Sequence, residues 1–373
     1  MSGLSQLPQF PSPIAPPPLN IPASDHIVRL SIIDTTTRMS QLNVSLLFGS
    51  AIKGQEQLSI PAYGFLIENE SGTKVVYDLG VSKKWESTSP VMVEFVRQLG
   101  WNVTVTKDVS DILVDHDVDL DSIDTIIWSH PHWDHTGDPS LFPSTTSLTV
   151  GPGFKSAMLP GYPTNPNSSI LESAYKDREL IEISFDQSPE FRIGRFRALD
   201  YFGEGSFYLL DCPGHAVGHI CGLARTTPNT FVFLGGDTCY YPGQMRPTEY
   251  LPLPEWIIPN PFPGKVKGIA FPGSIILDIH PQHSAVKPFY NLSNQTASDP
   301  LEAQKSLDKL SHFDCYENIL TIVAHDATLL DVVDFFPNTL NDWKAKGYRE
   351  KVLWKFLGDF REAVDEQSNL TDP

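Results

Sequence analysis

The sequence predicts an α/β protein whose strands end at a cluster of metal-binding side chains. Short apolar runs of strand length, some of them joined by turn residues, occur together with segments of helical spacing. Four of the apolar runs end at or just before a histidine or an aspartate. The hydrophobic fraction of 40% and the aromatic fraction of 11% are typical of a chain that folds around a packed core.

Three strands and one helix are predicted before the first group of histidines. The strands cover residues 28–33, 62–68 and 74–77, and the last two are joined by a Glu-Ser-Gly turn. The second strand of this hairpin opens into Asp78, Leu79 and Gly80. Apolar spacing predicts a helix over residues 91–99.

Four later strands each deliver a polar residue to a loop, which is a common way for a rigid scaffold to present a site. One histidine after a strand is usually a packing or surface residue, but four such strand ends are hard to explain by packing. The predicted strands are 123–128 before His130, 207–210 before His215, 231–234 before Asp237 and 319–324 before His325.

The residue types at these strand ends are suited to two metal ions. His130 and His132 form a His-x-His pair, which on an extended turn points both rings at one ion. Asp134 and His135 would then face a second ion, and Asp237 could bridge the two. Two ions a few ångströms apart share a water, lower its pKa and polarise the carbonyl that it attacks. We expect Zn²⁺, and the same ligands also accept iron or manganese.

The chain is expected to have three parts. Residues 1–24 form a proline-rich arm, either flexible or draped over the rest, because proline interrupts helices and central strands. Residues 25–330 form the main domain, with a lid-like insertion at 241–290 that begins in a proline- and aromatic-rich stretch. Residues 331–373 form a C-terminal helical extension, since apolar residues keep helical spacing to about Ala363.

We expect a small-molecule substrate, whose identity the formal net charge of −18 does not specify. A surface this acidic repels phosphate backbones, so no nucleic-acid partner is expected. No apolar stretch approaches the length of a membrane span, and the N-terminus lacks the pattern of a signal peptide. We therefore expect a cytoplasmic protein without a membrane partner, and the sequence leaves its oligomeric state open.

The cysteines do not read as a disulfide framework, because they are few and form no Cys-x-x-Cys pair. Buried, reduced thiols are the favoured interpretation. Two of them lie near residues assigned here to the metal site, so ligation by cysteine stays open. The four are Cys212, Cys221, Cys239 and Cys315.

Four motifs resemble those of the metallo-β-lactamase superfamily and keep its order along the chain. They are SHPHWDHTGD at residues 129–138, DCPGHAVGH at 211–219, LGGD at 234–237 and AHD at 324–326. The resemblance covers roughly residues 27–330 and implies a four-layer αββα sandwich with the metals at one edge between the sheets. Within the superfamily, the chain is most similar to N-acyl homoserine lactonases and to fungal lactonase-like and γ-lactamase proteins.

The resemblance implies a role for each site residue. Asp78 resembles an acid that supports the family's site without binding metal, and His219 resembles a histidine behind the ligands. Cys212 and Ser129 stand where the family more commonly has threonine, which are mild departures. The implied ligands of two Zn²⁺ ions per chain are His130, His132 and His215 for the first, Asp134, His135 and His325 for the second, and Asp237 as the bridge.

Two other residues compete for places at this site. Tyr240 stands three residues after Asp237, where N-acyl homoserine lactonases carry a tyrosine that helps hold the substrate carbonyl. A packing role for Tyr240 is the alternative. His280 also follows an apolar run and competes with His325 for the last ligand position. We favour His325, because His-Asp directly after a mostly apolar strand matches the family better.

The site and the resemblance predict a hydrolase that opens a lactone or lactam ring by a metal-activated hydroxide. One metal ion and Tyr240 would stabilise the oxyanion, and Asp134 or a bound water would pass a proton to the leaving group. The main alternative is a thioesterase that releases an acyl chain from a carrier protein in a secondary-metabolite pathway, although the charge of −18 disfavours an acidic carrier. Glyoxalase-II-like, nuclease and flavodiiron activities fit less well. A non-enzymatic metal-dependent scaffold is the remaining alternative.

Overall fold

Two mixed β-sheets pack face to face in the computed structural model, which describes residues 10–186, 189–264 and 268–371. The first sheet has seven strands in the order β4-β1-β2-β3-β5-β6-β7, and the second has six in the order β15-β12-β11-β10-β9-β8. A short hairpin of β13 and β14 stands apart. The strands are β1 Val28–Asn43, β2 Gln57–Asn69, β3 Lys74–Tyr77, β4 Asn102–Thr104, β5 Thr125–Ile127, β6 Ser147–Val150, β7 Leu180–Glu182, β8 Arg192–Ile193, β9 Phe196–Asp200, β10 Phe207–Asp211, β11 Ile220–Thr227, β12 Thr230–Leu234, β13 Trp256–Ile257, β14 Phe271–Pro272 and β15 Ile319–Ile322.

Helices and turns cover the outer faces of the sheets. The helices are α1 Val44–Phe48, α2 Pro90–Leu99, α3 Val109–Val114, α4 Trp133–Thr136, α5 Phe154–Met158, α6 Gly273–Ile279, α7 Pro300–Asp314, α8 Tyr348–Val352 and α9 Arg361–Thr371. Short 3₁₀ turns are Trp85–Ser87, Leu120–Ser122, Pro139–Leu141, Glu172–Ala174, Pro242–Gln244, Ala327–Leu329 and Lys355–Phe360. None of the helices in the described part of the chain is long and apolar enough to cross a membrane.

The predicted four-layer arrangement is confirmed by how the core divides. One apolar cluster lies between the two sheets and joins residues of β1, β2, β3 and β5 to residues of β10, β11, β12 and β15. A second cluster packs α3 and α5 on the outside of the first sheet, and a third packs α7 on the outside of the second. β12 is buried along its whole length, which explains why its residues after Thr230 are continuously apolar.

Parallel pairing brings the ends of the site-bearing strands to one edge. β3 pairs with β5 in the first sheet, and β12 pairs with β15 in the second, both in parallel. Parallel strands end on the same side of a sheet, so the loops that follow them lie close together. These loops carry Asp78, His130, Asp237 and His325.

The described part of the proline-rich segment, from residue 10 onward, lies against the domain. The backbone N–H of Ile14 donates to the carbonyl of Glu249 at 3.0 Å. The Tyr316 hydroxyl donates to the carbonyl of Pro17 at 3.0 Å, and the Arg225 guanidinium donates to that of Pro22 at 2.6 Å. Side chains of the domain thus satisfy the carbonyls of a segment that joins neither sheet.

The predicted C-terminal helical extension is present, but its helices begin only at Tyr348. Before that, the chain runs beside β1 in an irregular conformation. The N–H of Phe336 donates to the carbonyl of Ile32, and that of Leu340 to the carbonyl of Leu30, both at 2.7 Å. These hydrogen bonds satisfy carbonyls at the edge of β1, as a neighbouring strand would. The segment therefore stays irregular beside β1, although its sequence has helical spacing.

The predicted lid-like stretch holds more structure than a loop. Residues 241–290 contain α6 and the β13–β14 hairpin, and they share one apolar cluster with α1, β2 and the C-terminal extension. α7 follows this region and was not predicted. Its signals are Asp299, whose side chain accepts from the N–H of Glu302, and Pro300 at the first helical position.

A buried ion pair ties these parts together. Arg246 and Asp314 form two hydrogen bonds, Nε to Oδ2 at 2.7 Å and an Nη to Oδ1 at 2.6 Å. Arg246 also donates to the carbonyl of Leu353 at 3.0 Å, and Arg349 donates to the carbonyl of Asp314 at 2.7 Å. The pair therefore joins the insertion, the end of α7 and the C-terminal extension.

Asp314→Ala should lower the free energy of unfolding by about 3–5 kcal/mol, because it leaves the Arg246 charge buried without a partner. Urea denaturation measures the change. The matched control is Glu190→Ala, which breaks an exposed pair with Arg192 and should cost at most about 1 kcal/mol. Equal losses in the two variants would show that the Arg246–Asp314 pair is not a structural tie.

Candidate metal centre

Three histidines and an aspartate converge at the edge between the sheets. Ligand atoms of His130, His132, His215 and Asp237 all lie within 4.8 Å of one another. The Nε2 atom of His215 is 3.2 Å from His130 Nε2 and 2.9 Å from His132 Nδ1. Burial lowers the pKa of His130 and His215 well below the usual range, so both rings are neutral and offer lone pairs to a metal.

A second group lies on the other side of Asp237. Ligand atoms of Asp134, His135 and His325 also fall within 4.8 Å of one another. Asp237 Oδ1 is 3.1 Å from both His135 Nε2 and His325 Nε2, and its Oδ2 is 3.4 Å from His215 Nε2. The two oxygens of one carboxylate therefore face the two groups, as a bridging ligand requires.

The donor set fits a pair of divalent metal ions. His135 Nε2 and Asp237 Oδ1 are buried, and neither has a hydrogen-bond partner of acceptable geometry among the described residues. A buried polar atom without a hydrogen-bond partner destabilises the fold unless a water or an ion binds to it. Burial by itself would raise the pKa of Asp237, but His135 and His325 outweigh it and hold that pKa well below its usual range. The bridging group is thus a carboxylate, and imidazole with carboxylate is a donor set that zinc accepts.

Asp78 supports this centre from behind. Its Oδ2 accepts from His135 Nδ1 at 2.8 Å and from the Ser129 hydroxyl at 2.6 Å, while Oδ1 accepts from the Ser129 N–H at 2.7 Å. The backbone of Asp78 has φ of +57°, and its carbonyl packs so closely on Gly64 that a Cβ there would lie 2.4 Å away. Asp78 is therefore held in a left-handed conformation that aims both carboxylate oxygens at the site.

The other histidines are oriented through their second nitrogen in the same way. His325 Nδ1 donates to the carbonyl of Pro61 at 2.7 Å, so its Nε2 points at Asp237. His219 Nδ1 donates to the carbonyl of Cys212 at 2.9 Å, and its Nε2 accepts from the Asp237 N–H at 3.0 Å. His219 thus positions the bridging residue and has no free nitrogen for a metal, as the sequence comparison implied.

The thiols do not join the His/Asp groups. Cys212 and Cys221 each lie 3.2 Å from the Thr238 hydroxyl, and all four cysteines are free. Cys212, Cys221 and His219 are close enough to form a third potential cluster. Both nitrogens of His219 are already hydrogen-bonded, so the thiols act as buried packing groups behind the centre.

Tyr240 and His280 occupy different places. The Tyr240 hydroxyl accepts from His215 Nδ1 and donates to the carbonyl of Thr296, both at 2.9 Å. His280 Nε2 donates to the carbonyl of Lys287 at 2.7 Å, within its own loop. The structure therefore brings His325, and not His280, to Asp134 and His135.

A cavity of about 540 Å³ opens onto both groups of ligands. Its wall includes Tyr240 and five of the candidate ligands, His132, Asp134, His215, Asp237 and His325. Most of the remaining wall is apolar and comes from α1, α2 and the facing ends of β1 and β2. These wall residues were not predicted, because separate stretches of the chain bring them together only in the folded structure.

The comparisons with known proteins agree with this geometry. The family model described as the metallo-beta-lactamase superfamily matches residues 61–249. Among curated relatives, a protein named gamma-lactamase FDB1 from Fusarium pseudograminearum is 44% identical over 94% of this chain and 87% of its own length. A metallo-hydrolase named mfmC from Annulohypoxylon moriforme is 39% identical over 96% of this chain and 94% of its own length.

A longer relative and two solved structures extend the comparison. A protein from Penicillium roqueforti named cytochrome P450 monooxygenase mpaDE is 40% identical over 95% of this chain, which spans only 40% of that protein. A quorum-quenching N-acyl homoserine lactone hydrolase matches with a TM-score of 0.54 at 18% identity, over 85% of this chain and 99% of its own. An N-acyl homoserine lactone hydrolase with its product bound at the metal centre matches with a TM-score of 0.56 at 18% identity, over 84% and 99%. These structures support the fold.

Asp78→Asn should weaken zinc binding at the position of Asp134, His135 and His325 by about 10–100-fold, because it removes the anionic acceptor of His135 Nδ1. Competition with a chromophoric zinc chelator measures this affinity. The control is Asp124→Asn, which alters an exposed carboxylate that accepts only from the Lys74 N–H. If Asp78→Asn binds zinc with unchanged affinity, Asp78 does not support the metal centre.

Proposed function

The chain belongs to the metallo-β-lactamase superfamily, and we propose that it is a hydrolase that opens a cyclic ester or cyclic amide with two Zn²⁺ ions. The observation that carries the proposal is the pair of ligand groups joined by Asp237, both of which border one cavity. The relative named as a γ-lactamase supports a ring amide or ring ester as the bond attacked.

The two ions would share the ligands described above. His130, His132 and His215 would hold one ion, and Asp134, His135 and His325 the other, with Asp237 between them. Such ions, when bound, lower the pKa of a shared water toward neutrality and polarise the carbonyl under attack. Side chains of the protein would stabilise the oxyanion and transfer the proton.

Tyr240 would donate a hydrogen bond to the oxyanion. Its hydroxyl holds His215 in orientation and borders the cavity, and burial raises its pKa, so it stays protonated. A substrate oxygen could replace the carbonyl of Thr296 as the acceptor of this hydroxyl. Tyr240 would then keep His215 in place through its lone pair while it donates to the substrate.

Asp134 is placed to move the proton that ring opening requires. Its Oδ2 lies 3.5 Å from His325 Nε2, and the side chain reaches the cavity. Water adds to the carbonyl carbon, and the ring C–O or C–N bond breaks. The leaving oxygen or nitrogen takes a proton, which Asp134 would hand over from the attacking water.

A thioesterase acting on a carrier-bound acyl chain is the second candidate, since the apolar wall of the cavity could hold such a chain. The net charge of −18 weighs against it, because carrier proteins of that kind are acidic. The same charge weighs against a nucleic-acid substrate. The chain spans 40% of the relative named as a cytochrome P450 monooxygenase, and this match supports the expected place of the chain in secondary metabolism.

Zinc-loaded protein should open lactones, lactams or cyclic carbamates, and should leave acyl thioesters intact at matched concentration. Hydrolysis assays on this panel make the measurement. Asp134→Ala should lower kcat by at least about 100-fold, because it removes a ligand and the proton carrier together. Asp177→Ala, an exposed acid outside the site, is the control. Turnover confined to thioesters would replace the proposed activity with the second candidate.

Tyr240→Phe should lower kcat on the ring substrate by about 100-fold, which is typical for loss of one oxyanion donor. Steady-state kinetics at saturating zinc separate this effect from weaker metal binding. Tyr241→Phe is the neighbouring control, because that hydroxyl lies within hydrogen-bond distance of the Phe356 carbonyl and the Asp359 carboxylate, away from the site. Equal kcat values for Tyr240→Phe and the unmodified protein would restrict Tyr240 to packing.

A further inference from the structure

The wall of the cavity is mostly apolar away from the metal ligands. Beyond the ligands and Tyr240, ten large apolar or aromatic side chains line it, together with the segment Gln295, Thr296, Ala297 and Ser298. The ten are Leu42, Leu46, Leu47, Leu58, Ile60, Met92, Phe95, Leu99, Trp101 and Trp133. Such a wall binds by excluding water from apolar surface, so it favours a substrate that carries apolar surface of its own.

α2 carries one wide apolar stripe, of which one side packs against the domain and the other faces the cavity. Val93 and Val96 are buried and attach the helix to the domain. Met92, Phe95 and Leu99, three and four residues apart, line the cavity instead. The Phe95 side chain remains 49% exposed. The side of the stripe that faces the cavity is therefore available to a ligand.

α1 repeats this pattern across the cavity. Val44, Leu47 and Phe48 are buried, whereas Leu46 lines the cavity and remains 37% exposed. Leu46 and Phe95 thus keep apolar surface in contact with water beside a concave site, which is typical of a surface that a ligand covers.

Charge restricts the ligand further. Among the described residues that line the cavity, none is a lysine or an arginine, and the charged ones are Asp134 and Asp237 at the metal end. The chain as a whole carries a net charge of −18. A carboxylate or phosphate on the distal part of a substrate would lose water without gaining a cationic partner, which is unfavourable.

We propose that the substrate is an uncharged molecule with an apolar body, which lies between α1 and α2 while its carbonyl faces the metal ligands. The proposal rests on the proposed function for the reacting ring and adds the class of the rest of the molecule. It excludes anionic substrates such as glutathione thioesters, phosphopantetheine thioesters and lactams that carry a carboxylate away from the ring.

A series of γ-lactones with alkyl tails of increasing length tests the proposal on the zinc-loaded full chain. The value of kcat/KM should rise about fourfold for each added methylene until the cavity is filled. A matched series with a terminal carboxylate should lose at least about 100-fold relative to the neutral tails. Tail-independent kcat/KM, or equal values for neutral and anionic tails, would overturn the proposal.

Two substitutions locate the effect. Leu46→Glu and Phe95→Glu place a charge on half-exposed side chains and should lower the ratio of long-tail to tail-less kcat/KM at least tenfold. The matched control is Leu141→Glu, at a leucine that is 40% exposed and does not line the cavity. It should keep the ratio of the unmodified protein. A ratio that is equal in all four proteins would overturn the proposal.

A binding assay separates this proposal from the proposed function. The neutral fluorophore N-phenyl-1-naphthylamine should bind the zinc-loaded protein and be displaced by neutral long-tail lactones, and Phe95→Glu should weaken its binding at least tenfold. If no ring is opened but this pattern holds, the proposed function fails and the substrate class stands. If rings are opened but the probe does not bind, the substrate class fails and the function stands.

Discussion

The convergence of buried nitrogen and oxygen ligands on the Asp237 carboxylate is the constraint on which the rest of the structure depends. Asp237 Oδ1 lies 3.1 Å from two imidazole nitrogens, and its Oδ2 faces a third. Strand ends from both sheets must meet at one edge to bring these atoms together. Because the atoms are poorly satisfied without a cation, binding of metal and stability of this edge are thermodynamically linked.

Three of the ligand histidines are held through the nitrogen that does not face Asp237, and the partners come from distant parts of the chain. Asp78 after β3 holds His135, the backbone of β2 holds His325, and Tyr240 holds His215. Tyr240 in turn donates to the loop before α7. The orientation of the ligands is therefore a property of the whole domain, and a local change in any of these supports alters the centre.

The sequence was most informative where local pattern and tertiary role coincide. The strands before His130, Asp237 and His325 are short apolar runs in a buried sheet, so their pattern survives folding. The helical spacing of the stretch before Tyr348 predicts a helix. In the structure, backbone N–H groups of this stretch form hydrogen bonds to carbonyls of β1 instead of within a helix. The cavity wall could not be predicted, since it joins α1 and α2 across tertiary distance.

The wall of the cavity and the metal ligands belong to different parts of the molecule. Leu42, Leu47, Leu58 and Ile60 lie in one apolar cluster with residues of the 241–290 insertion and with Phe356 and Phe360 of the C-terminal extension. The ligands are carried by the strand ends of the two sheets. The extension can therefore diverge in sequence, and reshape the space offered to a substrate, while the reaction centre is inherited unchanged.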